Sequence, residues 1–416
     1  MFPRKSICIP ATPPVDVADF LPIIEHPHFQ KLRERKQLGV NYLVFPGAVH
    51  TRFEHTIGVL ALAQRLCRIH RLPDDDAKLI QAYAMVHDIG HGPFSHQVEP
   101  ILIGDHHSKG LERILDMKDA IEACGCDSEH LIQMLQGDNP LAKWISDRNL
   151  GADKLDYLMR DALHIGFHGT PDIEKIQFYT RQVPQGLAIE QKFIEDAKQL
   201  QKFYSYLHQH GYLNKTALAA QRMLQRAVQQ ELMQSSQDPA QLWDMTDQEL
   251  HAWLYDVKAK VSKKLARKLF ERDLHKTFLA LKPPQYEYVE RVVDKPIVVN
   301  QWSKAELRRF SEFANDTQKL LELEDKLVQQ CNAEPGDILF AAMPYFKKLL
   351  PEDLIICSDH SERQFSLLQN DTDHLKSLES DYLRTFAVRL VAPTKLREKL
   401  AKQADSLQDS IKTAIG

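Results

Sequence analysis

The sequence predicts a mainly α fold, with a helical core first and a smaller mixed α+β lobe after it. Two observations carry this. Apolar residues recur at spacings of three and four over Ile57 to Arg71, Asp75 to Asp88 and Thr216 to Met233, the period that lines one face of a helix. Strand signals are few and gather late, as short β-branched or apolar runs at Val292-Val293, Ile297-Val298-Val299, Leu354-Ile355-Ile356 and Phe386 to Val391, bounded by Pro, Asp or Ser.

Along the chain, Asp74 and Asp75 are available to cap the second of these helices. The polar run Gln234-Ser235-Ser236-Gln237-Asp238-Pro239 reads as a loop ending in a helix breaker. It divides the chain into a core over residues 1–233 and an accessory lobe over 240–416. The stretch Lys258, Lys260, Lys263, Lys264, Arg267, Lys268, Arg272, Lys276 is a basic helix, which reads either as a solvated face or as an anion or subunit contact. The sequence has no internal repeat and no low-complexity tract.

With 416 residues, 43% of them hydrophobic and 26% charged, the chain can bury a full core and fill two domains. No apolar stretch is long enough to span a bilayer, and Met1 to Ser6 lacks the apolar region of a secretory signal, so a cytoplasmic protein is expected. Six irregularly spaced cysteines argue for reduced thiols, Cys124-Gly125-Cys126 included. A net charge of -4 excludes a global attraction to nucleic acid, so a polyanionic ligand needs a local cluster of cations. Glycine, at 16 residues, is about half the average usage of roughly 7%. Neither a G-x-x-x-x-G-K-[ST] loop nor a G-x-G-x-x-G fingerprint, the glycine motifs that cradle phosphates, is present.

The chemistry concentrates in His87-Asp88-Ile89-Gly90-His91-Gly92-Pro93-Phe94-Ser95-His96. An imidazole followed at once by a carboxylate can put one nitrogen and one oxygen on a single divalent ion. Eight of the 19 histidines (His50, His55, His70, His87, His91, His96, His106, His107) lie between positions 50 and 107. Singly, His50, His70 and His106 read as satisfied structural histidines. As a group they do not, because a buried His-Asp pair needs hydrogen-bond partners or a cation. A second cluster lies in Asp153 to Asp161, and on a helix Asp153, Tyr157, Arg160 and Asp161 share one face with His164 beyond them. Spacing alone leaves open whether that stripe meets solvent or a cleft.

Arg52-Phe53-Glu54-His55, the His87–His96 run, and Asp153-Lys154-Leu155-Asp156-Tyr157 with Arg160-Asp161 resemble the H…HD…D signature of HD-domain phosphohydrolases. The branch resembled is that of the deoxynucleoside triphosphate triphosphohydrolases, which includes an enzyme with an added SAM domain. The likeness starts near His26 to Arg33, includes Lys36 to Gly39 and Val44 to Ala48, and runs in order to about residue 230. It implies an HD-domain helical core in which His55, His87, Asp88 and Asp153 ligate a divalent metal (Mn, Fe, Mg or Zn), a donor set that suits any of these and leaves positions for phosphate and water.

The resemblance also implies that Arg52, His91, Lys154 and Tyr157 meet the triphosphate. His96 and His107 act beside the α-phosphate, with His208 nearby, while Gln37, Leu38, Asp161 and Tyr212 meet the deoxyribose. The implied reaction converts a dNTP to deoxynucleoside and tripolyphosphate, in a nucleotide-binding homo-oligomer. Rival readings are another HD-type nucleotide phosphohydrolase or phosphodiesterase, and a nucleotide sensor without catalysis. Three departures from the pattern stand out. Ser108 follows His107 where the family tends to carry a glutamate, Tyr204 occupies the place of a phosphate-binding arginine, and Glu25 replaces an aspartate. Gln30 and Arg33 match positions that hold a regulatory nucleotide between subunits in the SAM-bearing relative.

Overall fold

Helix ends are set by local chemistry throughout the computed structural model, which describes residues 5–289, 295–342, 353–358, 361–366 and 371–416. Helix α1 (Arg52–His70) begins where the Thr51 hydroxyl accepts the Glu54 amide and ends where Arg71 turns left-handed. Helix α2 (Asp74–Val86) starts after Pro73. Its three aspartates fill the first turn rather than capping it, and there they complement the positive end of the helix dipole. The expected cap at Asp74 or Asp75 is therefore displaced by one residue. Helices α3 (His106–Asp116) and α4 (Ser128–Gln136) begin at capping aspartates, Asp105 and Asp127. Helix α5 (Ala152–Ile165) closes on left-handed Gly166.

Contacts divide the chain into two compact units that interleave in sequence: residues 1–204, 242–248 and 351–375 form one, and 205–241, 249–350 and 376–416 the other. In the first, α1 packs against α2 and α5. Ile57, Leu60, Ala63, Ile80, Ala84, Leu155 and Leu158 make the fully buried core. The described strands of this unit include β1 (Ser6–Ile7) and β2 (Val15–Asp16), which pair antiparallel, and the hairpin β3 (Thr180–Val183) and β4 (Gly186–Glu190). Strand β4 pairs in parallel with β8 (Ile355–Ser358), which pairs antiparallel with β9 (Ser361–Ser366). Helix α6 (Ile194–Leu207) follows the hairpin. Sheet is thus not confined to the end of the chain.

The second unit holds the sheet β6-β5-β10-β7, built from β5 (Lys276–Lys282), β6 (Val298–Gln301), β7 (Leu339–Ala342) and β10 (Val388–Ala392). Strand β10 is buried at every position, Arg389 included. Helix α7 (Lys215–Gln234) packs on β7 and on α8 (Lys260–Phe270). A buried Arg222–Glu324 pair, with two bonds of 2.8 Å, ties α7 to α9 (Thr317–Gln330). Part of the basic stretch is spent locally: Lys264 pairs with Glu334 and Asp337, Arg267 with Glu271, and Lys268 with Asp273. Residues 235–238 form the loop after α7, with Gln234 still in the helix and Pro239 opening the next helical turn, and Val292-Val293 lie outside the described residues. All six cysteines are free. Among the described residues no helix is long and apolar enough to cross a membrane.

Candidate metal centre

Three helices of the first unit converge on one cluster. His55 comes from the first turns of α1, His87-Asp88 from the end of α2, and Asp153 from the first turn of α5. His55 Nε2 lies 3.0 Å from Asp153 Oδ1 and 3.6 Å from Asp88 Oδ2. His87 Nε2 lies 3.7 Å from Asp153 Oδ1 and 3.8 Å from Asp88 Oδ1. Nitrogen and oxygen atoms of His55, His87 and Asp153 fall within 4.8 Å of one another, close enough to share an ion.

The residues fit a divalent cation on three counts. Each imidazole has Nδ1 committed elsewhere: that of His55 donates to Asp156 Oδ2 at 2.8 Å, and that of His87 to the Ala84 carbonyl at 2.8 Å. This turns Nε2 of each ring into the cluster, where it can ligate once any proton on it is released. His87 Nε2 is buried with no hydrogen-bond partner, which is costly unless something ligates it. Burial alone would push both histidines down, yet hydrogen bonds to Asp153 and Asp156 raise His55 to about 10, and Asp88 and Asp153 raise His87. A pocket that draws protons onto two buried imidazoles has the potential that holds a cation. Asp153, its side chain 36% exposed, is the most open of the four.

Asp156 supports His55 and is itself held by Arg160, through bonds of 2.9 and 2.8 Å. Gly58 makes room for this pair, since a Cβ there would fall 2.1 Å from Asp156 Oδ1. The polar stripe of α5 therefore faces inward. Arg160 and His164 reach Glu54, and Asp161 accepts from His50 Nε2 at 2.7 Å.

Around the cluster lie several of the residues the sequence singled out. Arg52 pairs with Asp88 and donates from Nε to Ser95 Oγ at 2.7 Å. Lys154 is buried, with Nζ on the Arg148 carbonyl and 3.7 Å from the centre of the Tyr204 ring. Where an arginine was expected, Tyr204 thus offers an aromatic face to a cation. Burial, then Tyr204, Asp153 and Asp161, push the Tyr157 hydroxyl well up. Gln37 and Leu38 sit in the turn before Gly39, with the Gln37 amide on the His50 carbonyl and the Leu38 carbonyl accepting from Gln97. His208 and Tyr212 belong to the second unit, in the turn that follows α6.

His91, His96, Glu99 and His106 form a second tight group. The rings of His91 and His106 stack at 4.2 Å, and His96 meets His91 edge-on at 4.5 Å. Glu99 accepts from His96 Nδ1 at 2.9 Å and His106 Nδ1 at 2.7 Å. Burial opposes its ionisation, but those two bonds hold its carboxyl below the ordinary range. His107 is exposed, its ring 4.3 Å from that of His106. The carboxylate missing at Ser108 is thus replaced by Glu99, which serves His96 and His106 rather than His107. Gly90 lets the loop reach α3, for a Cβ there would fall 1.9 Å from the His106 carbonyl. Asp156 and Glu99 are the members that sequence reasoning passed over, and His106 is one it read singly as structural. The one signal for Asp156 was its place one turn from Asp153.

Residues 52–161 match the HD domain, and residues 176–330 match the HD associated region. An uncharacterized protein of Methanocaldococcus jannaschii is 28% identical over 94% of this chain and 79% of its own length. A deoxynucleoside triphosphate triphosphohydrolase homolog of Dictyostelium discoideum is 26% identical over 63% of this chain. The chain spans only 57% of that relative's length and 35% of the Bos taurus deoxynucleoside triphosphate triphosphohydrolase. A crystal structure of a phosphohydrolase from Bacteroides thetaiotaomicron shares the fold, with a TM-score of 0.71 at 20% identity, covering 94% of this chain and all of that one. The chain thus carries an HD domain followed by an HD-associated region, and within the HD domain a His/Asp cluster able to hold a divalent metal.

Proposed function

We propose that the chain hydrolyses deoxynucleoside triphosphates at the α-phosphorus, releasing deoxynucleoside and tripolyphosphate. The observation that carries this reading is the pair His55 and His87, each with Nδ1 committed to a protein acceptor and Nε2 turned toward Asp153 and Asp88. Relatives named as deoxynucleoside triphosphate triphosphohydrolases support the choice of substrate.

In this reading His55, His87, Asp88 and Asp153 hold the cation. When bound, it supplies Lewis acidity toward a phosphoryl oxygen and a water acidic enough to attack at neutral pH. Arg52, His91, Lys154 and Tyr157 orient the triphosphate by charge and hydrogen bonding, in place of a glycine-rich loop. Glu99 accepts the Nδ1 proton of His96, so His96 presents Nε2 to the departing 5′ oxygen and delivers the proton there. Its side chain is 64% exposed, so the proton is replenished from solvent. His208 lies beside the α-phosphate, and His107, exposed and without a carboxylate partner among the described residues, contributes contact there rather than proton transfer. Gln37, Leu38, Asp161 and Tyr212 line the sugar. A regulatory nucleotide at Gln30 and Arg33, a homo-oligomeric assembly and a cytoplasmic location belong to the same proposal.

The test is incubation of the purified protein and Mn²⁺ or Mg²⁺ with each dNTP, alongside ribonucleotides and cyclic dinucleotides. Intact tripolyphosphate is the expected product. Pyrophosphate with a monophosphate points to another HD nucleotide phosphohydrolase, and binding without turnover points to a sensor.

A further inference from the structure

Phe94 and Ser95 are two successive non-glycine residues at positive φ, 52° and 53°. L side chains resist this conformation, and it persists only where surroundings impose it. Its effect is to bend the chain between His91 and His96 so that their rings meet edge-on.

The partners that impose it come from far along the chain. The Phe94 amide donates to Asp247 Oδ1 at 2.6 Å, and the Lys36 amide to Asp247 Oδ2 at 3.0 Å. Ser95 Oγ donates to the Lys36 carbonyl at 2.8 Å, which locks the same neighbour. The residues just before Asp247 press on the other half of the loop. Buried Arg113 donates to the carbonyls of Ile89 at 2.7 Å, His91 at 3.1 Å and Trp243 at 2.6 Å. Buried Arg35 donates to Trp243 and Met245, each at 3.2 Å. Residues 242–248 fall in the first compact unit, whereas the chain on either side falls in the second. They also lie outside the HD-domain match.

We propose that the Trp243–Asp247 segment is a positioning strap for the site, in which Asp247 locks the left-handed Phe94-Ser95 turn and so sets His91 and His96 in their working orientation. Asp247 touches neither the cation cluster nor substrate and acts through the loop. The kinetic part of this proposal rests on the dNTP reading above.

The test uses the full-length, metal-loaded protein and Asp247→Asn. An asparagine can accept only one of the two amide bonds, so the loop loses a partner at little change in volume. Hydrogen exchange over residues 86–98 should speed up at least tenfold, with exchange over 57–66 unchanged. Bound metal should remain at the wild-type level. On dNTP, kcat should fall about 100-fold while KM changes little, because misplacement of reacting groups by about 1 Å costs that much. Should Asp247→Asn fail to fold, Trp243→Phe, which removes the indole bond to the Ile103 carbonyl and part of the buried ring that packs beside Gly92, takes its place with the same readouts. Unchanged exchange in the loop overturns the proposal, as does faster exchange with normal kcat. If the wild-type protein does not hydrolyse dNTP at all, the functional reading fails, and loop exchange still decides whether the strap holds the turn.

Discussion

Asp156 takes the Nδ1 proton of His55 at 2.8 Å while receiving two bonds from Arg160. It therefore sets which nitrogen of His55 faces the cation cluster. Asp156→Ala should weaken metal binding by about 10–100-fold, the usual effect of losing such a partner. Titration of the apoprotein with Mn²⁺ measures it, and an unchanged affinity would remove Asp156 from the site.

His87 Nε2 is buried without a protein partner, so its replacement should cost the site its ion rather than the fold. His87→Ala should retain the helical circular dichroism of wild type and lose its bound metal together with activity. Elemental analysis showing full metal content would count against His87 as a ligand.

Gly58→Ala should destabilise the protein although alanine favours helix. The added Cβ would lie 2.1 Å from Asp156 Oδ1 and 2.2 Å from Arg160 Nη2. Displacing a buried ion pair outweighs the gain of about 1 kcal/mol in helix propensity, for a net loss of about 2–4 kcal/mol. Urea unfolding measures it, and a stabilised variant would show that the α1–α5 contact yields easily.

Glu99 bonds His106 and not the exposed His107. His106→Ala should therefore lower kcat by about 10²-fold, while His107→Ala should stay within a few-fold of wild type. Steady-state kinetics of the two variants decide this, and the reverse order would restore His107 to the place the family pattern implies.

His275 in the second unit is pushed down to about 4 by burial, its Nε2 held 3.0 Å from the Gly336 carbonyl. Its pKa is lower folded than unfolded, so between pH 6.5 and 4 the unfolded chain binds the extra proton. The stability is complete above pH 6.5 and is lost as pH falls toward 4, by about 1.4 kcal/mol per unit. His275→Gln should flatten that slope in urea unfolding between pH 4 and 7. An unaltered slope would assign the acid sensitivity elsewhere.

Much of the cation cluster could be read from sequence because His87 and Asp88 are adjacent and the His55 and Asp153 blocks flank them in order. Helices α1, α2 and α7 were visible for a related reason, since their periodicity is local. What escaped depends on distant partners. The β3–β4 hairpin pairs with β8 about 165 residues away, so nothing in Thr180 to Glu190 signals its neighbour. His106 and His107 are indistinguishable as letters; the start of α3 at His106 and the approach of Gly90 decide which ring meets Glu99. Asp247 reads as an ordinary residue at a helix start, and its two amide partners, Lys36 and Phe94, are themselves far apart in the chain.

The bond from Phe94 to Asp247 spans 153 residues, which sets a timetable for a chain made from its N-terminus. All four candidate cation-binding residues have left the ribosome before Asp247 is added. At about 5–20 residues per second, the delay between Phe94 and its partner is on the order of ten seconds. During that interval the residues of the cluster are already outside the ribosome, while the partner that holds the bent turn has not yet been made.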